Sequence, residues 1–246
     1  AGRDHALASR RDGTVWAWGS NEFGQRAQAR PWIPYEPAPV AGLTGVVSVA
    51  AGEAHSLALR EDGTVWAWGA GEAGALGVGA QPPAAQRTPV RVPGLTHVRA
   101  ITSFGRSSLA LRHDGSVWGW GRNTQQQLAH SPLEDQASPV PVRGAHAVVE
   151  LASGTQQGLA RRRDGSVWGW GNDVWGAVGL GAVLRATPVP LPGPSDVVEV
   201  SSGHALRADG SVWAWGSGQG LATGATPRPV PGLTEVVDVE GGWWSN

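Results

Sequence analysis

The sequence predicts an all-β fold, a β-propeller of four-stranded blades, and three observations carry that prediction. The octapeptide DGTVWAWG at Asp12–Gly19 returns at Asp62–Gly69, as DGSVWGWG at Asp114–Gly121 and Asp164–Gly171, and as DGSVWAWG at Asp209–Gly216. The 37 glycines and 18 prolines recur in phase with these copies, the pattern of turns between short strands. No segment carries the apolar period of a helix.

The aspartates of the five copies stand 50, 52, 50 and 45 residues apart (12 to 62 to 114 to 164 to 209). A nearly fixed period of that size means one supersecondary unit repeated in an array or ring. The unit is clearest at residues 46–93. A first strand, VVSVAAG (Val46–Gly52), leads through a short loop to HSLALRED, which ends at Asp62. An Asp62-Gly63 turn joins it to TVWAWG, and after a variable loop comes TPVRVPGLT (Thr88–Thr96). Asp-Gly between alternating runs is a hairpin signal, expected here as a two-residue turn with both residues at positive φ. The five aspartates are therefore read as turn residues and not as catalytic carboxylates.

Alternation in the third strand puts Trp66 and Trp68 on one face and Val65 and Ala67 on the other. The residue between the tryptophans is always small: Ala17, Ala67, Gly119, Gly169 or Ala214. A sheet packed on both faces accounts for this, with rings on one side and close approach of a neighbour on the other. Each ring removes roughly 150–250 Å² from water, about 4–6 kcal/mol at most. Four strands cannot bury two such faces alone, whereas neighbouring blades can. Ten of the fourteen tryptophans lie in these pairs and are assigned to the frame.

The pattern G-x-x-H-[SA]-L-A-L-x-x-D-G-x-V-W-x-W-G-x-N-x-x-G-Q resembles the repeat of the regulator of chromosome condensation family, in the style common in high-GC bacteria. The resemblance covers essentially the whole chain and implies one domain, residues 1–246, with one blade per repeat. Familiar members have seven repeats and this chain has five. It starts at Gly2-x-x-His5, just after the first strand of a repeat, and ends in TEVVDVEGG (Thr234–Gly242), which aligns with TGVVSVAAG (Thr44–Gly52). The expectation is a five-bladed ring closed by pairing of the termini; the alternative is a fragment of a seven-bladed ring. Copy five is short by about four residues between Gly203 and Asp209, which predicts an irregular blade.

Composition excludes several functions. Net charge is −1, with 19 basic residues, all arginine, against 20 acidic ones, so no phosphate backbone is expected as partner. Cysteine is absent, which removes disulfides, thiolate chemistry and cysteine–zinc sites. No apolar run reaches the ~18–20 residues of a membrane span, and no membrane partner is expected. The chain lacks methionine and begins AGRDH, so it is read as trimmed and its compartment stays open.

Several motifs are decoys. GAGEAG at Gly69–Gly74 matches a dinucleotide fingerprint, but no helix follows it. His5, His55 and His204 recur at one slot, held by Ser107 and Gln157 in copies three and four. They are read as strand-start hydrogen bonds to a neighbouring loop, not as metal ligands. Asp135 with Glu134, and Asp173, have no pairing implied by spacing. No cofactor, metal or catalytic set is expected, and the chain leans away from being an enzyme.

Function is therefore sought where the copies differ. Seven aromatics lie outside the Trp-x-Trp pairs: Phe23, Trp32, Tyr35, Phe104, Trp175, Trp243 and Trp244. All fall in the loops after the first or third strands, which open on one face because successive strands run up and down. Arg122, Asn123 and Gln125 to Gln127 share the long Arg122–Pro139 loop there. Aromatic loops on a rigid scaffold point to a binding surface. The expected function is a monomeric, non-catalytic module that binds a protein through Phe23, Trp32, Tyr35, Phe104, Arg122, Trp175, Trp243 and Trp244. Carbohydrate binding of a lectin-like kind, or an enzyme pocket at the channel mouth on the same face, are the alternatives.

Overall fold

The structure is a computed structural model that describes residues 1–28, 36–79, 84–130, 132–154, 156–173, 176, 178–180, 184–216 and 226–239. The described residues form five antiparallel sheets and one 3₁₀ turn, Glu72–Gly74. Sheet one is β1 (His5–Ser9), β2 (Val15–Gly19) and β3 (Ala38–Pro39). Sheet two is β4 (Val46–Ala51), β5 (His55–Arg60), β6 (Val65–Ala70) and β7 (Ala85–Arg91). Sheet three is β8 (Val98–Phe104), β9 (Ser107–Arg112), β10 (Val117–Gly121) and β11 (Gln136–Pro141). Sheet four is β12 (Val148–Ser153), β13 (Gln157–Arg162), β14 (Val167–Gly171) and β15 (Arg185–Pro190). Sheet five is β16 (Val197–Ser201), β17 (His204–Arg207), β18 (Val212–Ala214) and β19 (Arg228–Pro229). In each, strands pair in chain order, the meander of a propeller blade. The last strands carry Pro39, Pro89, Pro141, Pro190 and Pro229, which lack the N–H that an outer edge would otherwise offer to another chain.

The Asp-Gly hairpins form, but by a different turn from the one expected. Gly13, Gly63, Gly115, Gly165 and Gly210 have φ between 74° and 81°, whereas the preceding aspartates keep negative φ. Gly63 N donates to Arg60 O at 2.9 Å, and Arg60 N donates to Thr64 O at 3.0 Å. That is a type I turn followed by a left-handed glycine, the three-residue loop. Asp62 Oδ1 accepts from both Thr64 N (3.0 Å) and Thr64 Oγ1 (2.6 Å), and Asp12, Asp114, Asp164 and Asp209 repeat the arrangement. The side chain thus fixes the turn that a positive φ was expected to fix.

The chain forms two compact units. The first comprises Ala1–His113, Trp118–Asn123 and Glu134–Pro141, and the second Asp114–Val117, Thr124–Leu133 and Val142–Asn246. Within the first, the second tryptophan of each pair packs on the preceding sheet. Trp68 joins Val15, Ala17, Val40, Leu43 and Val46, and Trp120 joins Leu57, Leu59, Val65, Ala67 and Leu76. In the second, Trp215 packs on Ala152, Leu159, Val167 and Leu191. Each buried indole donates to a carbonyl in the loop of the sheet before it where the bond is resolved: Trp68 Nε1 to Gln25 O (2.8 Å), Trp120 Nε1 to Ala75 O (3.0 Å) and Trp170 Nε1 to Gln127 O (2.9 Å). The first tryptophans are half-buried, and three of them lie under an arginine: Arg10 is 5.6 Å from the Trp16 ring centre, Arg112 4.2 Å from Trp118 and Arg162 3.4 Å from Trp168. The assignment of the ten tryptophans to the frame therefore divides into a core set and a capped rim set.

The chain's first and last repeats depart from this scheme. Trp18, unlike its four counterparts, is half-buried, and sheet one has three strands. The described part of the expected closing strand, Val236–Val239, has no strand pairing, and residues 240–246, with Trp243 and Trp244, lie outside the described residues. The four residues missing from copy five come out of the β16–β17 turn. Ser201 pairs directly with His204, and His204 faces Ala214, the place Leu57 takes opposite Ala67 in sheet two. His204 is therefore not at the slot of His5 and His55, a correction to the sequence alignment.

The two tryptophans of a pair should differ in unfolding experiments. Trp120→Phe leaves the Ala75 carbonyl without its donor and should lower stability by about 2–4 kcal/mol. Trp118→Phe, at the rim beneath Arg112, should cost about 1 kcal/mol. Denaturant midpoints of the two variants check the ordering.

Candidate functional site

The loop after the third strand is built the same way in successive sheets. Gly24 N donates to Asn21 O (3.1 Å), Gly74 N to Gly71 O (3.3 Å) and Gly176 N to Asp173 O (2.9 Å), and each glycine has φ between 71° and 83°. A second turn follows at once, closed by Ala27, Gly77, Ala129 or Gly179. The third residue of the turn is the tip: Phe23, Ala73 and Gln125. Phe23 and Trp175 share one spacing in the repeat, which reading the loops separately did not reveal. Trp175, like Trp32 and Tyr35, lies outside the described residues.

Buried side chains hold the tips. Gln25 Oε1 accepts from Phe23 N (2.9 Å) and Gln127 Oε1 from Gln125 N (2.8 Å). The backbone oxygens of the same two glutamines take the Trp68 and Trp170 indoles. Asn21 Oδ1 accepts from Arg26 N (3.0 Å). Asp173 does the corresponding work with two oxygens, accepting from Val178 N (2.7 Å) and Leu180 N (2.9 Å). Burial pushes its carboxyl above the ordinary aspartate value, against the pull of those donors. Asp173 is fully buried, and Asp135 accepts from Asn123 N, so these two of the three acids considered for chemistry are loop anchors.

The structure separates the eight predicted binding residues. Phe23 is half-buried at a tip, and Arg122 is exposed, with its backbone oxygen accepting from Ser107 Oγ at 2.8 Å. Phe104 is a correction. It is the last residue of β8, pairs with Ser107 across a two-residue turn and is 0% exposed, so it belongs to the core and not to a surface.

His5 and His55 form a buried seam within the first unit. His5 Nε2 lies 3.0 Å from Ser56 Oγ, and His55 Nε2 lies 2.9 Å from Ser108 Oγ and 2.8 Å from Ser103 Oγ. Each histidine thus reaches a strand of the next sheet, not a loop. Ser56 Oγ donates its proton to Gln25 O at 2.7 Å, so His5 must donate through Nε2 to Ser56. The Ser56 proton is committed to a carbonyl, and Ser56 and Ser108 are both fully buried, away from any substrate, so the pairs are not read as nucleophile and base. Burial pushes the His5 imidazole down to about 4, helped by the N-terminal amine, and the His55 imidazole down to about 3, helped by His5. Among the described residues, no group of three or more His, Cys, Asp or Glu could hold a metal ion, and no helix is long and apolar enough to cross a membrane.

Known proteins share this arrangement. Residues 1–244 match the RCC1-like domain. The probable E3 ubiquitin-protein ligase HERC6 of Homo sapiens is 31% identical over 133 residues, 52% of this chain and 13% of that protein, so the chain matches only a small part of this curated relative's length. Human WBSCR16 superposes with a TM-score of 0.84 at 24% identity, covering 96% of this chain and 67% of its own. Prp20p of Saccharomyces cerevisiae superposes at 0.83 and 24% identity, covering 99% and 67%. At these identities the two structures establish the fold, a β-propeller.

The histidine seam predicts acid sensitivity. The unfolded chain takes up protons on these histidines below about pH 6.5, while the folded chain resists until about pH 4 and 3. Stability is therefore complete above pH 6.5 and falls as pH drops from there toward 3. His55→Gln, the residue that Gln157 supplies at this slot in sheet four, should remove about 2 kcal/mol of the loss between pH 7.5 and 5, read from urea unfolding at the two pH values.

Proposed function

The chain belongs to the RCC1-like domain family, and from that premise we propose that it is a non-catalytic scaffold that binds a protein partner through the loops following the first and third strands of its blades. One observation carries the reading: a single repeated turn holds a different side chain at its tip in each of three sheets, Phe23, Ala73 and Gln125, and the sequence spacing gives Trp175 in the fourth. The parts that hold the tip repeat, and the part presented does not. A catalytic constellation needs groups fixed relative to one another, whereas a recognition surface needs variety on a rigid support.

Prp20p supports the class, since its structure was described together with its binding to Gsp1p and histones, both proteins. Aromatic tips are the residue type that contributes most when a rigid surface meets a partner. In this reading Phe23, Trp32, Tyr35, Trp175, Trp243 and Trp244 are contact residues, and Arg122 is a polar companion.

Affinity capture from the native host should recover one protein with the wild-type chain. Phe23→Ala and Trp175→Ala should each weaken that complex about tenfold, with unfolding midpoints unchanged. Capture of nothing, or equal binding by both variants, would sink the proposal.

A further inference from the structure

We propose that the carboxamides of Gln125, Gln126, Gln156 and Asn172, in the second unit, form a platform for the main chain of an extended, uncharged peptide segment of the partner. The inference rests on the protein-binding reading above and names the chemistry that one part of the surface recognises.

Asn172 Nδ2 lies 3.1 Å from Gln125 Oε1 and 2.6 Å from Gln156 Oε1. Gln125 comes from the loop after β10, Gln156 from the β12–β13 turn and Asn172 from the loop after β14, so three separate segments of the second unit bring their amides together. Their support is rigid. Gln125 N is held by the buried Gln127, Asn172 N donates to Gln156 O at 3.0 Å, and Trp170 pins Gln127 from within the core. With both glutamine oxygens accepting from Asn172, neither Nε2 group has a partner among the described residues, and both are offered to a ligand.

Gln126 adds a second, independent sign. It has φ +59° where the same turn elsewhere uses Gly24, Gly74 and Gly176. A side chain is disfavoured in that conformation, yet one is present, and among the described residues its carboxamide makes no hydrogen bond. Sheet two shows that the frame does not need the amides. At the positions of Asn172, Gln156, Gln125 and Gln126 it carries Ala70, Ala54, Ala73 and Gly74 and forms the same loops.

The ligand class follows from the chemistry. A carboxamide carries one donor group and one acceptor in a plane, as a peptide group does, so a row of them offers a passing chain what a strand edge offers. None of the four side chains is charged, which disfavours an ionic ligand. None is an aromatic ring on which a sugar face could stack, and Trp170 beneath them is fully buried.

A random dodecapeptide phage library selected on the whole chain supplies the probe, and recovered peptides are titrated by fluorescence polarisation. The variant Gln125→Ala/Gln126→Gly/Gln156→Ala/Asn172→Ala installs the residues of sheet two and should keep the wild-type thermal midpoint. Binding should weaken at least about tenfold in this variant, and N-methylation of alternate main-chain amides in the peptide should weaken it similarly. Equal affinity for wild type and variant overturns the platform and leaves the protein-binding reading standing. Recovery of no peptide, with variant-sensitive hits on a glycan array instead, overturns both.

Discussion

The structure depends on one contact, the indole N–H of the second tryptophan meeting a carbonyl in the loop of the sheet before it. Trp68, Trp120 and Trp170 make it at Gln25, Ala75 and Gln127. A buried donor left unmet costs about 1–3 kcal/mol, so the ring cannot sit in the core unless the loop brings its oxygen there. The loop in turn cannot wander without exposing the ring. Other sequence features follow from this mutual requirement. A Cβ at Gly77 would lie 2.8 Å from the Trp120 ring, and one at Gly158 would lie 2.4 Å from Trp170. Glycine and small residues recur near the rings because the rings occupy that space.

Much of this frame is legible in the sequence, because it is periodic. The strand order, the hairpin positions and the small residue between paired tryptophans can be read from five copies of an octapeptide. What is not legible is how identical residue types share the work. Alternation puts both tryptophans of a pair on one face, but only the structure shows the second in the core in four pairs and the first at the rim, beneath an arginine at Trp16, Trp118 and Trp168. Asp-Gly signals a hairpin without fixing its type, since the Asp62 side chain caps Thr64 and so replaces a positive φ. A deletion can be counted but not placed: His204 looked equivalent to His55 until strand pairing put it where Leu57 belongs.

Phe104 shows a limit of a different kind. An aromatic outside the repeated pairs, next to a glycine, reads as a loop residue, but the β8–β9 hairpin is tight enough for Phe104 to finish the strand. Phe23 and Gln125 are the converse case. They look unrelated in the sequence, yet both are held by a glutamine two residues on that accepts from their own N–H. The candidate site is thus visible in the sequence as a set of irregular residues, and its organisation becomes visible only through the hydrogen bonds of its support.

An internal repeat also supplies its own control. Sheet two, with Ala54, Ala70, Ala73 and Gly74, is close to the least that the loop needs in order to form. Any copy that carries larger or more polar side chains at those positions has them for a reason other than folding. By that measure sheet four and the loop before it stand furthest from the minimum. They place amides at all four positions and, at Gln126, accept a backbone conformation that glycine would adopt without strain. The tryptophan contact makes this tolerable, because a loop already anchored through Gln127 can carry a strained residue beside it without coming loose. The rigidity of the frame is therefore the condition under which a tip can be chosen for recognition instead of for folding.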